Sequence, residues 1–151
     1  MRLFKHPLRT AWSAETPEPA ADLKGMKAAS KAFYAALAVI DNGEAMEKVW
    51  AHTPYVTYVG PRATSIIVGW DAQAKFWVEA NKRFSQRNIT LSDQQIHVNG
   101  DLAWEMGQET GDMKMKDGDA LLKVDFIVTN VYEKLDDRWL IVSHHVQPKP
   151  Q

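Results

Sequence analysis

The side chains of this sequence that can move protons sit inside stretches that otherwise read as strands. Asp93, Glu105, Glu109 and Asp125 stand within alternating or apolar runs, and His144 and His145 follow Leu140-Ile141-Val142-Ser143 near the C-terminus. A carboxylate or imidazole held in a pocket can have its pKa moved toward the working pH, which is the condition for general acid–base chemistry. Tyr55 and Tyr58 lie in Tyr55-Val56-Thr57-Tyr58-Val59 and can donate a hydrogen bond to a carbonyl or enolate oxygen. A structural role competes with each of these. A charge inside a strand usually faces solvent, and a strand tyrosine usually fills the core with its hydroxyl at the rim.

Other chemistries find less support. The chain has no cysteine, which removes disulfides, thiolate metal sites and cysteine nucleophiles together. No His-Glu-x-x-His or His-x-His occurs, so no metal is expected. Ser65, Ser85, Ser92 and Ser143 lack a nucleophile-elbow setting, and no glycine-rich phosphate cradle is present, so no cofactor is expected either. A net charge of −1 without a long Lys/Arg run argues against nucleic acid and against a polybasic membrane patch. No apolar run is long enough to span a membrane. Lys5, His6, Pro7 and Arg9 interrupt any apolar signal core, so a cytoplasmic location is expected, with export open only if the start codon is misplaced.

The elements that must position these residues follow from hydrophobic period. At 151 residues, 45% of them hydrophobic, the chain fits one packed domain. Leu23, Met26, Phe33, Leu37 and Ile40 form a helical stripe, with Asp22 as expected N-cap and Asp41-Asn42-Gly43 as the stop. A short helix carries Ala45, Met46, Val49 and Trp50. A third follows Asp71 and carries Phe76, Ala80 and Phe84 at every fourth place, with Trp77 beside them. The period then changes to two. Tyr55–Val59 and Ile66–Val68 read as short strands. Ile89–Val98, Leu102–Thr110, Leu121–Glu133 and Trp139–Val146 read as long ones, joined at Asn99-Gly100, Asp117-Gly118 and Asp136-Asp137.

Helices first and a meander afterwards is an α+β order. The expected fold is a curved antiparallel sheet wrapped around three N-terminal helices, with a conical cavity between the first helix and the concave face. The expected boundaries are an arm at 1–21, a domain at 22–147 and a tail at 148–151. Alternation places Ala103, Glu105, Gly107 and Glu109 on one face of their strand and Leu102, Trp104, Met106 and Gln108 on the other, the second set having the look of a packed face. Asp125 shares a face with Ile127 and Val131, so Asp125 and Glu109 are the favoured pocket carboxylates. Adjacent residues on a strand point to opposite faces, so His144 and His145 cannot both serve one site.

Four stretches carry a family resemblance: DNGEAMEKVWAHTPYVTYVGP, GWDAQAKFWVEA, HVNGDLAWEMGQETG and VTNVYEKLDDRWLIVSHHVQ. Together they resemble SnoaL-like proteins of the nuclear transport factor 2-like superfamily, which includes ketosteroid isomerase, scytalone dehydratase and polyketide cyclases. The resemblance runs over roughly residues 23–147. It is most specific in the last stretch, where a turn, Trp139, two aliphatics and His144-His145 precede Gln147, which replaces the usual Ser or Thr. It implies a cone-shaped α+β barrel, a homodimer packed through the sheet and a pocket for a small organic molecule. Within that pattern His145 is the recurring histidine. The expected reaction is then a cofactor-free isomerisation, dehydration or cyclisation. His145, Asp125 or Glu109 would transfer the proton and Tyr58 would hold the oxyanion, with Trp104, Trp77, Phe33, Tyr55 and His144 as ligand contacts. A non-catalytic ligand-binding or assembly module of the same fold is the alternative.

Overall fold

The computed structural model describes residues 20–150. Most of the expected arm therefore lies outside the described residues, while Ala20 and Ala21 already belong to the first helix. That helix, α1 (Ala20–Ala38), is followed by a single turn, α2 (Glu44–Glu47), and by α3 (Trp70–Arg83). The strands are β1 (Thr57–Val59), β2 (Ile67–Val68), β3 (Phe84–Asn99), β4 (Leu102–Met115), β5 (Leu121–Leu135) and β6 (Arg138–Pro148). They form one curved, unclosed six-stranded sheet in the order β2-β1-β6-β5-β4-β3. Every neighbouring pair is antiparallel except β1 and β6, which run parallel with Tyr58 opposite His144. The α+β architecture matches the expectation from the sequence.

The helices bury the stripes that define them. Met26, Ser30, Phe33 and Leu37 of α1 are buried at helical spacing against the concave face, and Trp77 and Ala80 of α3 join them. Asp22 stands in the first turn of α1 rather than capping it, and it pairs with Lys134 of β5 at 3.1 Å. Gly69 precedes α3, so Asp71 likewise acts within the first turn, where its charge favours the helix dipole. The expected second helix is only one turn long. Trp50 has left it and bridges Ile141, filling the core at 1% exposure.

Two of the three register shifts in the sheet change which residues face inward along β3 and β6. In β3 the pairing with β4 shifts between Ser92 and Gln95, where Asp93 adopts φ 51°. Before that bulge Arg87, Ile89 and Leu91 turn toward the core; after it Ile96 and Val98 do. In β6 a second shift, opposite Val131 and Tyr132, leaves Ile141 and Val142 both buried. Asp136 and Asp137 form the β5–β6 turn with φ 48° and 60°, the left-handed pair that a two-residue hairpin loop requires.

Gly111 allows β4 to press against β3. Its φ is +143°, and a Cβ there would meet the carbonyl oxygen of Asn88 at 1.8 Å. Both strain and a backbone clash oppose any side chain. Gly111→Ala is expected to lower stability by about 2 kcal/mol or more, measured by urea denaturation. A loss under about 0.5 kcal/mol would show that the two strands can part there at little cost.

Candidate functional site

A cavity of about 610 Å³ opens between α3, the concave sheet and the loop after β1. Its apolar lining includes Leu37, Phe76, Trp77, Met113, Phe126 and Val146, and its polar lining includes Tyr58, Arg87, Glu109 and His144. Register explains the convergence. Glu109 lies opposite Phe126 on the inner face of β4 and β5, and the parallel β1–β6 pairing sets Tyr58 beside His144. The two rings stack with centroids 5.4 Å apart and planes 15° from parallel.

Behind the cavity wall a polar network fixes these groups. The Glu105 carboxylate is wholly buried and accepts hydrogen bonds from Ser30 Oγ at 2.9 Å, Asn130 Nδ2 at 3.0 Å and Tyr132 OH at 2.7 Å, with Gln94 Nε2 as a further donor. Asn130 Nδ2 also donates to the Tyr34 hydroxyl at 3.1 Å, which in turn donates to Glu109 Oε1 at 2.8 Å. With both amide protons committed, Asn130 Oδ1 accepts from His144 Nδ1 at 2.6 Å. The hydrogen therefore rides on Nδ1, and His144 Nε2 carries a lone pair when the ring is neutral. That nitrogen lies 4.0 Å from Glu109 Oε1. The gap is too long for a direct hydrogen bond but lets one ligand atom lie within reach of both.

Burial sets the charge states. Desolvation, with the Glu105 charge adding to it, raises the Glu109 carboxyl to about 7 against the opposing hydrogen bond from Tyr34. Burial, assisted by neighbouring His145, lowers His144 to about 3 and keeps its ring neutral. The Tyr58 phenol is driven upward chiefly by burial, so it remains a donor, and no group among the described residues accepts from it. The site thus holds a neutral imidazole, a proton-donating phenol and a carboxyl group poised between its two forms.

The structure divides the candidates named from sequence. Tyr58, Trp77, Glu109 and His144 line the cavity. Phe33 is buried behind it, 5.2 Å from the His144 ring. His145 is exposed on the opposite face of the sheet, so the assignment of the inward histidine is reversed in favour of His144. Asp125 also faces outward, paired with Lys149 at 2.9 Å. Trp104 is 45% exposed beside His97, and Tyr55 is exposed with its hydroxyl donating to Glu133 at 2.8 Å. The packed face of β4 is likewise inverted: Glu105 and Glu109 point inward, while Leu102, Trp104 and Met106 point out. The reason is the network, since donors from α1, β3 and β5 satisfy carboxylates that alternation alone would assign to solvent. Tyr34, Arg87 and Asn130 were missed. Arg87 was the most accessible of them, because it alternates with Ile89 and Leu91 along β3. No group of three or more candidate ligands that could hold a metal occurs among the described residues.

The fold defines a nuclear transport factor 2-like roll. It aligns with a protein of that family from Streptomyces avermitilis, provisionally named a dehydratase, at TM-score 0.78 and 22% identity, covering 88% of this chain and 100% of the other. A ketosteroid isomerase-like protein from Erwinia carotovora atroseptica aligns at 0.73 and 14% identity, over 88% and 100%. A provisionally assigned calcium/calmodulin-dependent protein kinase type II association domain from Thiobacillus denitrificans aligns at 0.68 and 26% identity, over 82% and 94%. No curated protein matches the sequence. The SnoaL-like domain matches residues 26–147, and the chain belongs to that family.

Opposite shifts at Glu109 and His144 give a stability test. Glu109 titrates above its ordinary 4.5, so its stabilising contribution is complete below that value and is lost as pH rises through about 7. His144 titrates below 6.5, so its contribution is complete above that value and is lost as pH falls toward about 3. Glu109→Gln should therefore gain stability relative to the parent between these limits, at a slope of up to about 1.4 kcal/mol per pH unit. His144→Gln should show its relative gain toward acid. Urea denaturation across pH reads both, and a pH-independent difference would contradict the burial of these charges.

Proposed function

We propose that this SnoaL-like protein binds a small organic molecule in the cavity and moves a proton on it without a cofactor. The observation that carries this reading is Glu109, a buried carboxyl balanced near neutrality and facing the cavity beside the His144 Nε2 lone pair. In its ionised form Glu109 takes a proton from a carbon next to a carbonyl. Tyr58 donates its hydroxyl proton as a hydrogen bond to the oxygen on which negative charge collects. The protonated Glu109 then returns the proton at another carbon, which completes an isomerisation, while His144 offers an acceptor to a substrate hydroxyl. Asn130 and Tyr34 are positioning residues for this pair. Neighbours named as a dehydratase and as ketosteroid isomerase-like are compatible with such chemistry but share only the fold with this chain.

The test is deuterium exchange at the α-carbon of ring-fused benzylic ketones such as 2-tetralone, followed by NMR in heavy water. Catalysed exchange is expected to rise with pH through about 7, as Glu109 ionises. Glu109→Gln should slow it by roughly 100-fold or more, and His145→Ala should leave it unchanged. Exchange no faster than in buffer would leave a binding function without catalysis, and catalysed exchange insensitive to Glu109→Gln would overturn the role given to Glu109.

The outer sheet face supports a homodimer as part of the same proposal. Leu102, Trp104 and Met106 of β4 and Ile127 of neighbouring β5 lie on that face, each more than 40% exposed. Such a patch is costly to leave in water and suits a second copy packed sheet to sheet. Light scattering should give twice the chain mass for the parent and a single chain mass for the Trp104→Lys/Met106→Lys double variant. A monomeric parent would refute this part.

A further inference from the structure

The charges of the cavity are strongly unbalanced. Its lining carries Arg62, Arg83, Arg87 and Lys123 against one acidic residue, Glu109. Arg62, Arg83 and Lys123 are exposed, whereas Arg87 is 4% exposed. The Arg87 guanidinium donates from Nε to the Leu37 carbonyl at 2.8 Å, and from Nη2 to the Val39 carbonyl at 3.3 Å and to Asn81 Oδ1. All three acceptors are neutral. No carboxylate among the described residues lies within ion-pair distance, and no acceptor takes the protons of Nη1. Arginine keeps its charge even here, so a buried guanidinium with an unused edge faces the cavity, with Asp41 acting on it only at a distance. Trp77 and Phe84 flank it with ring centroids 5.9 and 5.7 Å from the guanidinium carbon, fixing its plane.

We propose that the cavity selects a carboxylate-bearing aromatic or apolar molecule, with the ligand carboxylate on Arg87 Nη1 and its apolar body among Phe76, Trp77, Phe126 and Val146. The exposed cations form an entrance that draws the anion inward, and Arg87 supplies the fixed point that orients it. This inference rests on the proposed proton-transfer site, since it names the substrate class that would present its reacting carbon to Glu109 and His144. A ligand anion at Arg87 also supplies the direct ion pair that its neutral acceptors do not.

Calorimetric titration of the full chain with 2-naphthoate and with its neutral isostere 2-naphthamide tests the proposal near neutral pH. The acid is expected to bind at least about tenfold more tightly than the amide, a difference of about 1.4 kcal/mol. Arg87→Gln should remove the preference, bringing naphthoate and naphthamide to similar affinity. The exposed Arg62→Gln/Arg83→Gln double variant should lower the naphthoate association rate and its salt dependence, and it keeps the test open if Arg87→Gln does not fold. Equal binding of acid and amide, binding of neither, or a preference that survives Arg87→Gln would overturn the proposal, as would an association rate that the entrance variant leaves unchanged. Glu109→Gln separates the two readings. It should abolish ketone exchange yet retain the preference for naphthoate, so either reading can fail while the other stands.

Discussion

The Glu105 carboxylate is the constraint around which the domain is arranged. A fully buried anion without a cation demands several well-placed donors. Here they come from α1, β3 and β5: Ser30, Gln94, Asn130 and Tyr132. Removing any one would leave part of a desolvated charge unmatched, a cost that apolar packing cannot replace. The requirement fixes the helix over the sheet at one height and one rotation. It also aims Asn130, whose remaining oxygen determines the tautomer of His144. The chemistry at the cavity surface thus depends on a charge that never touches the cavity.

Glu105 also acts at a distance on its neighbour. Glu109 stands two alternations further along β4, on the same face, and the negative charge of Glu105 opposes its ionisation. Two carboxylates in one strand consequently hold different roles. The first is saturated with donors and structural. The second has one donor, Tyr34, and an open side toward the cavity. Asymmetry of hydrogen bonding, rather than residue type, separates them.

Much of the fold was legible in the residues because turn chemistry and period agree. Asn99-Gly100, Asp117-Gly118 and Asp136-Asp137 each separate two of the long strands, and the α1 stripe appears at its expected spacing. The faces were less legible. Period-two reasoning assigns the apolar set to the interior, yet Trp104 and Met106 turn outward because long-range donors make room for carboxylates inside. The bulges at Asp93 and Val142 add a second difficulty, since an extra residue reverses parity without leaving a period of its own. His144 and His145 show the result. Alternation correctly separates them, and only the pairing with β1 and β5 decides which enters the core. Arg87 shows a different limit, because a cation on an inward position carries no clue to its partner until the packing of α1 and α3 is known.

The link between β1 and β2 has a consequence for how the cavity can diversify. Gly60 to Ser65 contribute to its lining, while the ladder formed by β1 and β6 holds Tyr58 and His144 in place. From Pro61 to Ser65 this loop is exposed, and it joins two strands of three and two residues whose register does not depend on its length. Entrance and floor are therefore written in separate parts of the chain. Insertions in the loop can reshape the mouth of the cavity while Tyr58 and His144 stay in place, a division of labour between a variable rim and a fixed floor.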